Sequence, residues 1–164
     1  RQMVALQLLD SLAVLPYIRQ APLLDIGSGG GLPGIPIAIA KPQCDVTLLD
    51  SNGKKTRFLT QARLTLQLDN ARVVQSRIEA WRPSTPPLSI TCRALASLSQ
   101  IIAWSEHLLT PQGEIIAMKG QYPRDELEEI ADRDLAIDIH PLAIPGVTGE
   151  RHIVRIRGFS SAIA

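Results

Sequence analysis

The sequence predicts an α/β fold: a mostly parallel seven-stranded sheet, helices on both faces, and an antiparallel closing strand. Three observations lead there. Short apolar runs alternate with segments whose apolar residues recur every three or four positions, as strands joined by crossover helices do. One run, Leu23-Leu24-Asp25-Ile26, passes directly into Gly27-Ser28-Gly29-Gly30-Gly31-Leu32-Pro33-Gly34, which reads as the first strand-to-helix turn of a doubly wound sheet. The last two apolar runs are connected through Pro145-Gly146 and Gly149-Glu150-Arg151-His152, as closing antiparallel strands can be.

Taken in order, Met3, Leu6, Leu9, Leu12 and Ala13 mark an amphipathic helix ending near Pro16. Strand Leu23 to Ile26 and the glycine turn follow. Pro33 sits where a helix begins, a position that tolerates its missing N–H. Ile35 to Ala40 is a short helix stopped by Pro42, and Asp45 to Asp50 is the second strand. A helix spans about Asn52 to Leu68, Ala71 to Gln75 is the third strand, and Arg82 to Pro87 is a proline-rich surface turn. Leu88 to Ala94 is the fourth strand. In the helix Ser97 to Leu109, the residues Leu98, Ile101, Ile102, Ser105, Leu108 and Leu109 form the inner stripe. Glu114 to Met118 is the fifth strand and Pro123 to Arg133 an acidic helix with a solvated face. Leu135 to His140 and Ile153 to Arg157 close the sheet.

At 164 residues the chain reads as one domain with a single buried core. With 45% hydrophobic and 20% charged residues it is neither disordered nor membrane-like. A net charge of +1 gives no overall footprint for nucleic acid, although local clusters of Arg and Lys can make one. Cys44 and Cys92 are too few for a disulfide scaffold, and with His107, His140 and His152 scattered no metal site is expected. A reducing cytoplasm and a monomer are the expectation. The segment Met3 to Ile18 lacks a basic flank and a cleavage site and carries Asp10, so it reads neither as a signal peptide nor as a membrane span. Arg1 is not an initiator methionine, which suggests a piece of a longer chain.

The glycine turn is a candidate cofactor cradle. Glycines allow positive φ and close backbone approach, and the following helix start offers free N–H groups. Gly29-x-Gly31-x-x-Gly34 matches the dinucleotide fingerprint by letter. Asp25 argues the other way, because a carboxylate at the end of the strand repels a diphosphate and suits a cationic ligand. S-adenosylmethionine, with a sulfonium and an ammonium and no phosphate, fits better; a nucleotide cofactor and a structural turn are the alternatives. Asp50 stands near the spacing at which a second strand presents an acid to a ribose diol, unless Asp50 or Ser51 merely caps the next helix. Lys54, Lys55 and Arg57 oppose the dipole of that helix, which points to a partner with phosphates or to a solvated basic face. Ile78 and Glu79 lie where an adenine is covered, with a structural salt bridge as the alternative for Glu79. At the mouth of the crevice Cys92-Arg93-Ala94-Leu95 replaces the Asn/Asp-Pro-Pro-aromatic expected for methylation of an exocyclic amine. Cys92 reads as a buried thiol rather than a nucleophile, and Trp104 as a core aromatic rather than a stacking platform.

With these segments in place, the chain resembles the glucose-inhibited division protein B family, the small-subunit (16S) ribosomal RNA guanine-N7 methyltransferases. The carriers are Leu9-Asp10-Ser11-Leu12, the run Asp25 to Pro36, Leu49-Asp50-Ser51 with Lys54-Lys55 and Phe58-Leu59, Arg77 to Glu79, Arg93-Ala94, Met118-Lys119-Gly120 and Glu150-Arg151-His152. The resemblance covers essentially the whole chain as a single methyltransferase domain and implies a Rossmann-like class I fold that uses S-adenosylmethionine. It implies that Gly27, Leu32, Asp50, Ile78, Glu79 and Arg93 hold the cofactor, together with Asp25, Ser28 and Gly29, which the glycine turn itself offers. Arg93 and Lys119 would position the reactants, and Arg77, Lys119 and Arg151 would meet small-subunit ribosomal RNA, with Lys54 of the basic helix start as a further expected contact. The family often has Arg-His where this chain has Leu6 and Gln7, and its N-terminal helical extension is absent here. The chemistry agrees: guanine N7 is an acceptor with a free lone pair and no hydrogen to remove, so no general base is required. A methyltransferase for a small molecule or protein, a noncatalytic RNA-binding module and a dinucleotide oxidoreductase are the alternatives.

Overall fold

One sheet organises the computed structural model, which describes residues 2–160, apart from the side chains of Gln2 and Met3; Arg1 and the Met3 position of the predicted stripe lie outside those descriptions. The strands are β1 (Leu23–Ile26), β2 (Val46–Asp50), β3 (Ala71–Gln75), β4 (Ser89–Arg93), β5 (Glu114–Lys119), β6 (Ala136–Pro141) and β7 (His152–Arg157). Their order is β3-β2-β1-β4-β5-β7-β6. β1 to β5 pair in parallel, and β7 runs antiparallel to both β5 and β6. The winding therefore reverses between β1 and β4, and a crevice opens at the carboxyl ends of those strands.

Both faces of the sheet are covered, which is why the central strands are buried along their length rather than alternating between buried and exposed residues. Leu24, Ile26, Ile90, Ile115 and Ala117 face one core with Leu98, Ile101 and Ile102 of α4 (Leu98–Ser105). Leu23, Val46, Leu48, Ile116 and Met118 face the other, with Ile35 and Ile37 of α2 (Gly34–Ala40) and Leu59 of α3 (Gly53–Thr65). α1 (Gln2–Leu12) packs beside α2.

The strands lie where the sequence puts them, within a residue or two; the helices are shorter, except α2, which begins one residue earlier at Gly34. α1 stops at Leu12, and Pro16 falls in a separate 3-10 turn, Leu15–Tyr17, because proline enters a first turn easily but not a helix interior. The Ser97 to Leu109 helix likewise divides into α4 and a 3-10 turn, Glu106–Leu108. Asn52, rather than Asp50 or Ser51, caps α3, its side chain accepting from the N–H groups of Lys54 and Lys55. The acidic segment yields only α5 (Arg124–Glu128). Its acids are not all solvated: Glu126 Oε2 accepts from the Leu98 N–H and from Lys119 Nζ, each at 2.7 Å. Cys92 is buried in the first core, and burial pushes its thiol up to about 12, so it is a core residue and no nucleophile.

At Gly34 the start of α2 packs closely on β1 and β2. A Cβ there would meet Asp25 Oδ2 at 2.5 Å and overlap the Leu48 side chain. Gly34→Ala is therefore expected to destabilise the fold by about 1–3 kcal/mol, the range for overpacking a dense interior, measured by urea denaturation; unchanged stability would show that β1 and α2 can separate without cost.

Candidate active site

The glycine turn is held from both sides by carboxylates. Gly27, Gly29 and Gly31 take φ of +64°, +54° and +86°, conformations open to glycine and rare for other residues. Asp50 Oδ2 accepts the Gly29 N–H and Oδ1 accepts the Asn52 N–H, both at 2.9 Å. Asp25 Oδ2 accepts the Gly34 N–H at 3.0 Å, and the Ser28 hydroxyl donates to the Asp25 carbonyl at 2.8 Å.

Asp25 departs from its expected role. It is completely buried on the underside of the turn, and Oδ1 has no partner. Burial pushes its carboxyl up to about 7, against the opposing pull of the Gly34 N–H. Its alternating position on β1 turns it toward α2 instead of the crevice, so it supports the cradle and does not line it. The acid that reaches the crevice is Asp50.

Two clefts flank the end of β4. The first, about 260 Å³, is walled by Gly27 and Asp50, by Ile78 and Glu79, and by Leu95 and Trp104, with Lys55, Ser76 and Arg77 around it. Sequence reasoning identified Gly27, Asp50, Ile78 and Glu79. It placed Arg77 with the RNA and Trp104 in the core, whereas both line this cleft. Trp104 lies just off the buried stripe of α4 and is half-buried, a flank position that helical periodicity could have revealed. Ser28, Gly29 and Leu32 build the turn behind the wall. Lys54 is exposed at the start of α3, and its neighbour Lys55 is the lysine that lines the cleft.

The second cleft, about 480 Å³, gathers Arg93, Lys119 and Arg151, with Gln7, Asp10, Met118 and His152. Its cations are held. Asp10 pairs with Arg93 through Oδ2 at 3.4 Å and with Arg151 through Oδ1 at 3.1 Å. Lys119 Nζ donates to Glu126 and, at 2.8 Å, to the Ala96 carbonyl. His152 Nδ1 donates to the Gly120 carbonyl at 2.8 Å.

Consecutive residues line the two clefts: Arg93 and Ala94 the second and Leu95 the first. Ala94 holds φ +47°, a left-handed conformation uncommon for a residue with a Cβ. Leu95 lies against Gly27, where a Cβ would come within 2.5 Å of Leu95 Cδ1. Among the described residues no group of His, Cys, Asp and Glu is clustered for a metal, and no helix is long and apolar enough to cross a membrane.

A sheet that reverses its winding at a glycine turn, with an acid ending the second strand and an antiparallel β7, defines the Rossmann-like fold of class I methyltransferases. The precorrin-6y C5,15-methyltransferase of Geobacter metallireducens shares it with a TM-score of 0.69 and 14% identity, over 90% of this chain and 87% of that one. The glycopeptide N-methyltransferase MtfA, crystallised with S-adenosylmethionine, gives 0.72 and 12% over 90% and 86%. Within that class, the family model described as rRNA small subunit methyltransferase G matches residues 1–154. Relatives named ribosomal RNA small subunit methyltransferase G are 50% identical in Xanthomonas axonopodis pv. citri, over 96% of this chain and 74% of the relative. The Marinobacter nauticus protein of that name is 49% identical over 94% and 72%. The chain belongs to the rRNA small subunit methyltransferase G family.

Asp25 makes the cradle pH-sensitive. Its carboxyl titrates near 3.8 when unfolded and near 7 when folded, so between those values the folded state binds the extra proton and stability falls as pH rises. Urea denaturation at about pH 4 and about pH 8 is expected to show wild type losing on the order of a few kcal/mol relative to Asp25→Asn. Parallel pH dependence in the two proteins would remove Asp25 as the source.

Proposed function

We propose that this chain methylates N7 of a guanine in small-subunit ribosomal RNA, with S-adenosylmethionine in the first cleft and the guanine in the second. The observation that carries the reading is the meeting of the two clefts across one short backbone segment, Arg93 to Leu95. Bound S-adenosylmethionine supplies an electrophilic methyl group, and guanine N7, with its free lone pair, accepts it without a general base.

The residues present suit that cofactor. Each Asp50 oxygen holds one backbone N–H and keeps acceptor capacity for a ribose hydroxyl. Ile78, Leu95 and Trp104 offer apolar and aromatic cover for an adenine, with Glu79 beside them to accept its amine hydrogens. Gly27 has no Cβ, which allows Leu95 to close over the turn.

In the second cleft Arg93 and Arg151 meet phosphate or guanine O6 with planar, bidentate donors. Lys119 acts through the backbone: its bonds to Ala96 and Glu126 fix the segment that separates the two reactants. Methylation leaves the guanine cationic, so cations already paired to acids suit the product better than free ones. The reading takes the chain to work in the cytoplasm, as a monomer, on ribosomal RNA or the small subunit.

Calorimetric titration is expected to show saturable binding of S-adenosylmethionine and none of NADH. Trp104→Ala should weaken that binding by roughly tenfold, the loss expected for an aromatic contact with a base. Labelled methyl should then pass to small ribosomal subunits that lack the modification. NADH binding would point to an oxidoreductase, and RNA binding without transfer of label to a noncatalytic module.

A further inference from the structure

Asp10 is the one acid among the residues lining the second cleft, and it touches both of the cleft's guanidiniums. The three residues come from distant parts of the chain: Asp10 from α1, Arg93 from the end of β4, and Arg151 from just before β7. A carboxylate here has a cost, because it repels the phosphates of any polynucleotide entering the cleft. Its side chain is only 15% exposed, and each oxygen serves a different arginine.

Neither arginine is used up. Arg93 gives one N–H to Asp10; Arg151 gives Nε–H to Asp10 and an Nη1 N–H to the Glu150 carbonyl at 2.8 Å. A guanidinium has five N–H donors, so each keeps free donors for a ligand. A single carboxylate also fixes the spacing of the two planes, which reduces the side-chain freedom lost when an anion binds.

We infer that Asp10 is a positioning residue for methyl transfer: it holds Arg93 and Arg151 as one preformed fork for a phosphate of the acceptor strand. This rests on the ribosomal RNA reading. Charge alone and positioning give opposite signs. If Asp10 acts only by its charge, removing it makes the cleft more positive and tightens RNA binding; if it positions, removal loosens the fork and weakens binding.

The test is steady-state methyl transfer to small ribosomal subunits by the full chain, wild type against Asp10→Asn and Asp10→Ala. S-adenosylmethionine affinity and melting temperature are measured alongside. Asp10→Ala is expected to raise KM for the subunit on the order of tenfold, as misplaced binding groups do, while cofactor affinity stays at the wild-type value. Combined with Arg151→Ala, its effect should shrink, because the residue it positions is gone. If Asp10→Ala melts early, the isosteric Asp10→Asn carries the comparison.

An unchanged or lower KM, or effects that add fully with Arg151→Ala, overturns the assignment. So does a loss of cofactor affinity equal to the loss of RNA affinity, which marks a general structural tie. Wild type that transfers no methyl overturns the ribosomal RNA reading and this assignment together; wild type that transfers while both variants keep its KM overturns the assignment alone.

Discussion

The arrangement of the site depends on how tightly the glycine turn is pressed between its neighbours. A run of glycines is the most flexible kind of backbone, and fixing it is entropically costly. Here two carboxylates from adjacent parallel strands fix it, Asp25 through the Gly34 N–H and Asp50 through the Gly29 N–H. The first bond also meets one of the unpaired N–H groups at the start of α2. The result is a rigid shelf, and the absence of a Cβ at Gly27 lets Leu95 rest on it.

That contact ties the two clefts to each other. The segment carrying Leu95 toward the first cleft carries Arg93 and Ala94 toward the second, and it is held by Lys119 at the Ala96 carbonyl and by Glu126 at the Leu98 N–H. The left-handed Ala94 is where the chain turns from one cleft to the other. Lys119 and Glu126 form a half-buried pair whose value is geometric: each side chain bonds the same short segment, from opposite ends of the β5 to α5 connection. The second cleft is thus basic in composition, with two arginines sharing one carboxylate and Lys119 paired to Glu126.

The parts legible in the sequence are those tied to local pattern. The bounds of β1 and β3 follow from apolar runs closed by turn residues. The places of Asp50, Ile78 and Glu79 in the first cleft follow from their positions just after or at the ends of parallel strands, where the crevice of this fold opens. The misplaced residues are of another kind. Whether Trp104 enters the core or the cleft depends on the rotation of α4 by a fraction of a turn. That Arg77 lines the first cleft depends on the 3-10 turn Ile78–Ala80 that follows it. The spacing of Asp25 to the glycines points it at a cationic ligand, and its burial beneath α2 cannot be read from that spacing.

By itself, then, the sequence determined the order of strands and helices, the glycine turn and its acid at the end of β2, and membership of a methyltransferase class, because each is written in contiguous residues. Tertiary structure alone decided that Asp10 would reach Arg93 and Arg151, that Glu126 would meet Lys119 and the start of α4, and that one three-residue segment would divide two clefts. Those contacts join residues far apart in the chain, and only the packing of helices onto a twisted sheet brings such partners within hydrogen-bonding distance.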